Sequence, residues 1–122
     1  MYKINVTSHF SAAHNLREYP GLCKNIHGHN WKVRICLNCE KVDELGMAVD
    51  FTVAKEWLNN LMEELDHKHL NTIEPFIELN PTSENIAQYI YNRLKLMIDI
   101  EGVSVNEIEV WESEKSSVVY SE

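Results

Sequence analysis

Along the first fourteen residues, Tyr2, Ile4, Val6, Phe10 and Ala12 at even positions are apolar or aromatic, while Lys3, Asn5, Thr7, His9 and Ser11 at odd positions are mostly polar. A period of two puts successive side chains on opposite faces of a strand, so this segment predicts a strand with one buried face. Ser8 is the polar exception on that face, and His14 ends it. Tyr19-Pro20-Gly21 then marks a loop. A second alternation follows, with His27, His29, Trp31, Val33, Ile35 and Leu37 on one parity and Gly28, Asn30, Lys32, Arg34, Cys36 and Asn38 on the other. Both histidines continue the apolar face of this strand, as His14 does on the first.

Beyond Gly46 the period changes. Phe51, Ala54, Trp57, Leu58, Leu61, Met62 and Leu65 recur at helical spacing, with Asp50 placed as the N-cap. A second helix is predicted to open at Pro81–Asn85, where Pro81 suits a helix start, to turn Ile86, Ala87, Ile90, Leu94 and Met97 inward, and to end near Gly102. Two strands, roughly Val103–Glu112 and Ser117–Tyr120, close the chain, with Ile108, Val110 and Glu112 on one face. The order strand, strand, helix, helix, strand, strand predicts an α+β fold: a four-stranded antiparallel sheet with two helices over one face. With no repeat, linker or low-complexity stretch, residues 1–122 read as a single domain.

Composition narrows the function classes. The chain is 44% hydrophobic and 25% charged, which is ordinary for a globular domain able to bury a core. A net charge of −8 argues against nucleic-acid partners, which need a basic face. The charge is uneven, however: Met1–Leu37 holds five basic residues and one acid, and the remainder six basic residues and eighteen acids. That local positive balance either serves a small anionic ligand or is a surface fluctuation without a role. Three cysteines at uneven spacing make no disulfide framework. No apolar h-region follows Met1, and no apolar run nears the ~20 residues of a membrane span, so a cytoplasmic protein without a membrane partner is expected.

The candidate chemistry lies in the histidines. Three imidazoles on the inward parity of two strands suit a metal, and three protein ligands with an open position suit zinc best. Calcium and magnesium prefer oxygen donors, and non-haem iron usually takes a carboxylate beside two histidines. Cys23, four residues before His27, has two readings: a fourth ligand closing a structural site, or a free thiol beside Lys24 that moves protons. Asp66 and His67, at the end of the first helix, form either an acid–base relay or a solvated helix terminus. His69 reads as a spectator. Cys36 and Cys39 lack the second pair of a zinc ribbon and the βαβ context of a redox motif, so they read as structural.

"FSAAH" at Phe10–His14, Cys23 with "HGH" at His27–His29, "VDF" at Val49–Phe51, "LDHKHLN" at Leu65–Asn71, "PTSEN" at Pro81–Asn85 and "VWESE" at Val110–Glu114 share an order. It is the order found in the 6-pyruvoyl-tetrahydropterin synthase family, which the chain resembles over essentially its whole length. The resemblance implies the tunnelling fold, in which trimers close their sheets into a barrel and stack as a hexamer with sites shared between subunits. It implies zinc (Zn2+) on His14, His27 and His29, proton transfer by Cys23, and a second acid–base group made of Asp66 and His67. It also implies a pterin pocket from Thr82, Ser83, Glu84 and Glu112, whose carboxylate suits the adjacent donors of a pterin edge.

The short spacing from Cys23 to His27 resembles the bacterial branch that forms 6-carboxy-tetrahydropterin in queuosine and 7-deazapurine biosynthesis. The implied reaction converts 7,8-dihydroneopterin triphosphate into 6-carboxy-5,6,7,8-tetrahydropterin, acetaldehyde and triphosphate, with Arg17 and Lys24 suited to the triphosphate. The alternatives are a pyruvoyl synthase, which keeps the side-chain carbons, an aldolase-like side activity, and a zinc- or pterin-binding module without catalysis.

Overall fold

In the computed structural model, which describes residues 1–122, strands β1 (Tyr2–His14) and β2 (His27–Cys39) pair antiparallel from end to end. Tyr2 stands opposite Cys39 and His14 opposite His27. Directly opposed residues share a face of the sheet, so this register joins the two predicted apolar parities. Phe10 faces Trp31, Val6 faces Ile35, and all four are buried. Strand β3 (Lys68–His69) lies parallel to β1 on its free side, while β4 (Val103–Ser113) pairs with β2 and β5 (Ser116–Ser121) with β4. The sheet order is β3-β1-β2-β4-β5.

The expected four antiparallel strands are therefore present, and the sheet has a fifth. A strand of two residues carries no readable alternation; the pairing of His67 N–H with the Ser11 carbonyl at 2.6 Å draws the chain onto the edge of β1. The β2–β4 ladder also holds an irregularity at Cys36/Leu37, where Leu37 pairs with Val105 but Cys36 with Glu107. Val105 and Ile108 consequently both face the core despite their opposite parity.

Helix α1 (Phe51–Leu65) is capped as predicted, the Asp50 carboxylate accepting from Thr52 N–H at 2.8 Å. Its buried stripe is Ala54, Leu58, Leu61, Met62 and Leu65, whereas Phe51 in the first turn is 56% exposed and Trp57 only partly covered. Helix α2 (Ser83–Met97) is capped by Thr82, whose hydroxyl accepts from Asn85 N–H at 3.1 Å, and Pro81 precedes the cap instead of opening the first turn. The helix stops at Met97, short of Gly102. Gly102, at φ +79°, serves the turn into β4 rather than the helix end.

Both helices cover the same face of the sheet, α1 over β1 and α2 over β4 and β5. Each fully buried Leu, Ile or Phe there contributes roughly 1.5–3 kcal/mol. Phe10 and Trp31 stack in parallel at 5.6 Å, and the Trp31 indole N–H donates to the Ala12 carbonyl at 3.2 Å. Trp31 in turn meets His14 and His29 edge-on at 4.9 and 5.3 Å, so the core ends directly on the histidines. The opposite face is polar: Arg34 is tied to Asn5, Glu107 and Glu109, and Ser11 to Asn30. No helix is long and apolar enough to cross a membrane.

Candidate metal centre and the groups around it

The pairing of His14 with His27 at one end of the β1–β2 ladder, and His29 two residues along, brings three imidazoles together. Ring centroids are 4.5, 5.2 and 4.9 Å apart, with interplanar angles of 63–87°. Glu112 joins them from β4, and the ligating atoms of all four side chains lie within 4.8 Å of one another. The sequence placed Glu112 on the inward parity with Val110, but not among the donors of this cluster. Its carboxylate Oε1 lies 3.1 Å from His29 Nε2 without the geometry of a hydrogen bond.

Orientation is set by backbone carbonyls. His14 Nδ1–H donates to the Pro81 carbonyl at 2.7 Å, and His27 Nδ1–H to the Asn25 carbonyl at 2.7 Å. A carbonyl only accepts, so each Nδ1 carries the proton and each Nε2 keeps a bare lone pair. Burial pushes the His14 pKa below 6.5, outweighing the Pro81 bond, and His29 is lowered by burial against the opposing pull of Glu112. Both are therefore neutral near pH 7, the form that ligates a metal. The Nε2 atoms of His14 and His29 are buried with no hydrogen-bond partner. Such an orphan costs about 1–3 kcal/mol, which a bound cation would offset. The donor set of three imidazoles and one carboxylate can hold a metal ion, and its chemistry fits zinc.

Glu112 also reaches the start of α2, where Ser83 Oγ donates to its Oε2 at 3.4 Å. Ser83, Glu84 and Glu112 share a cleft of about 280 Å3 with Ser116 and Ser117. The Thr82 hydroxyl is occupied as the cap, so Thr82 offers this cleft its position rather than a free side chain.

Asp66 and His67 stand at the C-terminal end of α1. Asp66 Oδ1 accepts from Ser11 N–H at 2.7 Å and Oδ2 lies 2.7 Å from His67 Nδ1. The Ser11 bond, then the His67 bond, hold the Asp66 carboxyl below its ordinary value of 3.8. His67 adopts φ +57°, a left-handed conformation that costs a non-glycine residue about 1 kcal/mol. Its own N–H to Ser11 and its pairing with Asp66 hold it there. His67 and His29 line one cleft of about 490 Å3, together with Ser11 and Asn30.

Cys23 sits in a single helical turn, Leu22–Lys24, as a half-buried free thiol. It is not among the four converging side chains, so the reading of Cys23 as a closing ligand has no geometric support. What holds its loop is a set of backbone pairings that no sequence pattern reveals. The Asn71 amide accepts from Asn15 N–H at 3.0 Å and donates to the Asn15 carbonyl at 2.9 Å. The Asn80 amide does the same to Arg17, at 2.9 and 3.1 Å, and between them Leu16 N–H donates to the Cys23 carbonyl at 2.8 Å. His69 is engaged with Asn15 at 3.0 Å, away from the cluster. The Arg17 guanidinium donates to the carbonyls of Phe76, Leu79 and Asn71 at 2.7–3.3 Å. Its expected role toward a triphosphate gives way to that of a backbone clamp.

The chain belongs to the 6-pyruvoyl tetrahydropterin synthase family, whose profile matches residues 3–122. A relative from Archaeoglobus fulgidus, 38% identical over 113 residues, covers 91% of this chain and 88% of its own; it bears the provisional name 6-carboxy-5,6,7,8-tetrahydropterin synthase. A second, from Bacillus subtilis, is 33% identical over 103 residues, covers 80% of this chain and 68% of its own, and is named 6-carboxy-5,6,7,8-tetrahydropterin synthase. Among solved structures, Caenorhabditis elegans 6-pyruvoyl tetrahydropterin synthase superposes with a TM-score of 0.88 at 27% identity, over 99% of this chain and 95% of that one.

Proposed function

We propose that this chain is a zinc-dependent lyase converting 7,8-dihydroneopterin triphosphate and water into 6-carboxy-5,6,7,8-tetrahydropterin, acetaldehyde and triphosphate, in the pathway to queuosine and related 7-deazapurines. The single observation that carries the reading is the convergence of three imidazoles, of which those of His14 and His29 keep Nε2 atoms that are buried and unpartnered. The relatives named 6-carboxy-5,6,7,8-tetrahydropterin synthase support the choice of product.

His14, His27 and His29 would hold the zinc, which as a Lewis acid would acidify the hydroxyls of the substrate side chain. Glu112 accepts from the ring N–H and amino group of the pterin edge. Ser83 and Glu84 contribute the first amides of α2, which have no partner within the helix and suit a ring carbonyl. Cys23 takes and returns a proton on the side chain. His67, oriented by the Asp66 carboxylate at 2.7 Å, is the second proton carrier, because an imidazole can both take and give a proton. The assembly is a homohexamer of two trimers, in which the open edges at β5 and beside β3 pair with other copies and sites draw on more than one subunit. A monomer by light scattering would sink that part of the reading.

The high structural similarity to a 6-pyruvoyl tetrahydropterin synthase favours a second reading, in which triphosphate is eliminated and all side-chain carbons remain. Incubation with dihydroneopterin triphosphate and trapping of acetaldehyde as a hydrazone decides between the two. Stoichiometric acetaldehyde with a carboxylated pterin is expected; a diketo side chain with no acetaldehyde rejects the proposal. Cys23→Ala should keep its zinc and fold but lose turnover by about 10²-fold or more. Loss of zinc in that variant would make Cys23 a ligand.

A further inference from the structure

A second cleft opens beside His29. At about 660 Å3 it is the larger, and it runs from His29 and Glu112 onto the helix-free face, where His9, Lys32, Trp111 and Glu114 line it. The ladder places His9 directly opposite Lys32, and Lys32 directly opposite Trp111, so three strands present these side chains as one row. Lys32 Nζ stands 4.7 Å from the Trp111 ring centroid, which holds the ammonium over the cleft without neutralising it.

Two other cations are already engaged, whereas Lys68, which lines the neighbouring cleft with His29, has no ion-pair partner. Arg17 is clamped on three backbone carbonyls. Arg34, two residues along β2, is paired with Glu107 and Glu109. Lys32 has no carboxylate partner among the ion pairs of the molecule. A polyanion entering this cleft therefore meets one unpaired positive charge, with the His9 ring beside it as a further donor. The Glu112 and Glu114 carboxylates share the cleft and oppose an anion; Glu114 is exposed and screened by solvent and Glu112 is turned toward His29 at 3.1 Å, so they weaken attraction without abolishing it.

We propose that this row is a polyphosphate subsite continuous with the metal centre, in which Lys32 is the principal cation for the substrate's triphosphate tail. The proposal rests on the reading of dihydroneopterin triphosphate as substrate. Glu112, 3.1 Å from His29, marks the ring end of the cleft and Lys32 the tail end.

The test uses the zinc-loaded full-length protein and inorganic tripolyphosphate as the probe, followed by calorimetric titration. Lys32 sits on the polar face away from the core, so Lys32→Ala should fold as the wild type does. A charged hydrogen bond to phosphate is worth enough that Lys32→Ala should weaken tripolyphosphate binding about tenfold and raise KM for the triphosphate substrate by a similar factor. Lys32→Arg should restore both, and unphosphorylated dihydroneopterin should bind Lys32→Ala as it binds the wild type. Equal tripolyphosphate affinity in wild type and Lys32→Ala, no binding to the wild type, or an equal loss of dihydroneopterin binding each overturns the subsite. If tripolyphosphate binding depends on Lys32 but dihydroneopterin triphosphate gives no product, the functional reading fails and the subsite stands. If product forms and KM ignores Lys32, the subsite fails and the function stands.

Discussion

His14 is 1% exposed, gives its Nδ1–H to a carbonyl and leaves a bare Nε2 inside a cluster of imidazoles. The side chain of His67 is 83% exposed, and its Nδ1 faces the Asp66 carboxylate. Carbonyl and carboxylate both accept a proton bond, yet they prepare opposite chemistry. Burial beside other imidazoles penalises the charged ring, so His14 is held neutral, the form that can ligate a metal. His67 instead stands in water with a carboxylate beside it, the setting proposed above for an acid–base group. Within one chain, the surroundings rather than the residue type separate the candidate metal ligand from the candidate acid–base group.

The comparison breaks most visibly at the centre. His14→Ala removes a donor and should lower zinc affinity by more than about hundredfold, since loss of a mere supporting contact already costs 10–100-fold. Elemental analysis after dialysis checks this, and full zinc retention would remove His14 from the site. Asp66→Asn attacks the other side: zinc content should be unchanged while kcat falls about 10²-fold, and zinc loss would erase the distinction between the two regions. The same variant sharpens it through pH. Because the folded Asp66 carboxyl titrates below its unfolded value of 3.8, its stabilisation is complete above that value and is lost as pH falls through the lower, folded one. The stability gap between wild type and Asp66→Asn in urea unfolding should therefore close on acidification. A gap that persists in strong acid would mean the effect is not ionic. The smallest effect belongs to the loop between the regions. Asn80→Ala frees one side of the Cys23 tether and should lower kcat up to about tenfold with zinc retained. Faster alkylation of Cys23 would accompany it, and an unchanged alkylation rate would count against the tether.

Much of this was readable from parity. The alternations ending in His14, His27 and His29 placed three imidazoles on one face because a strand repeats every two residues and the pairing register preserves the phase. Asp50 announced its helix because capping chemistry is local, whereas Thr82, read only as a pocket residue, is the cap of the second. What escaped was long-range and particular. The reach of Glu112 to His29 depends on how β4 registers against β2, which no single strand encodes. Arg17 reads as a free cation until the carbonyls of the Asn71–Leu79 segment are folded around it. The Asn71 and Asn80 amides each pair with a backbone far away in sequence, and nothing in their neighbours marks them for it. Strand β3 is too short for any period to appear.

The irregularity at Cys36/Leu37 has a bearing on how this chain can change length. Val105 on one side of it and Ile108 and Val110 on the other all face the helices, so the two halves of β4 keep separate phase. Glu112 inherits its inward position from Ile108 and Val110 alone. Gain of one residue near Asn106 forces one half to flip, and the half that buries more apolar surface stays in place, whereas loss of Asn106 leaves Val105 and Ile108 two apart on one face. Ile108 and Val110, both fully buried, outweigh Val105 at 8% exposed. The distal half therefore acts as slack: insertions arising between α2 and the middle of β4 are taken up there, and the carboxylate at the metal centre keeps its aim.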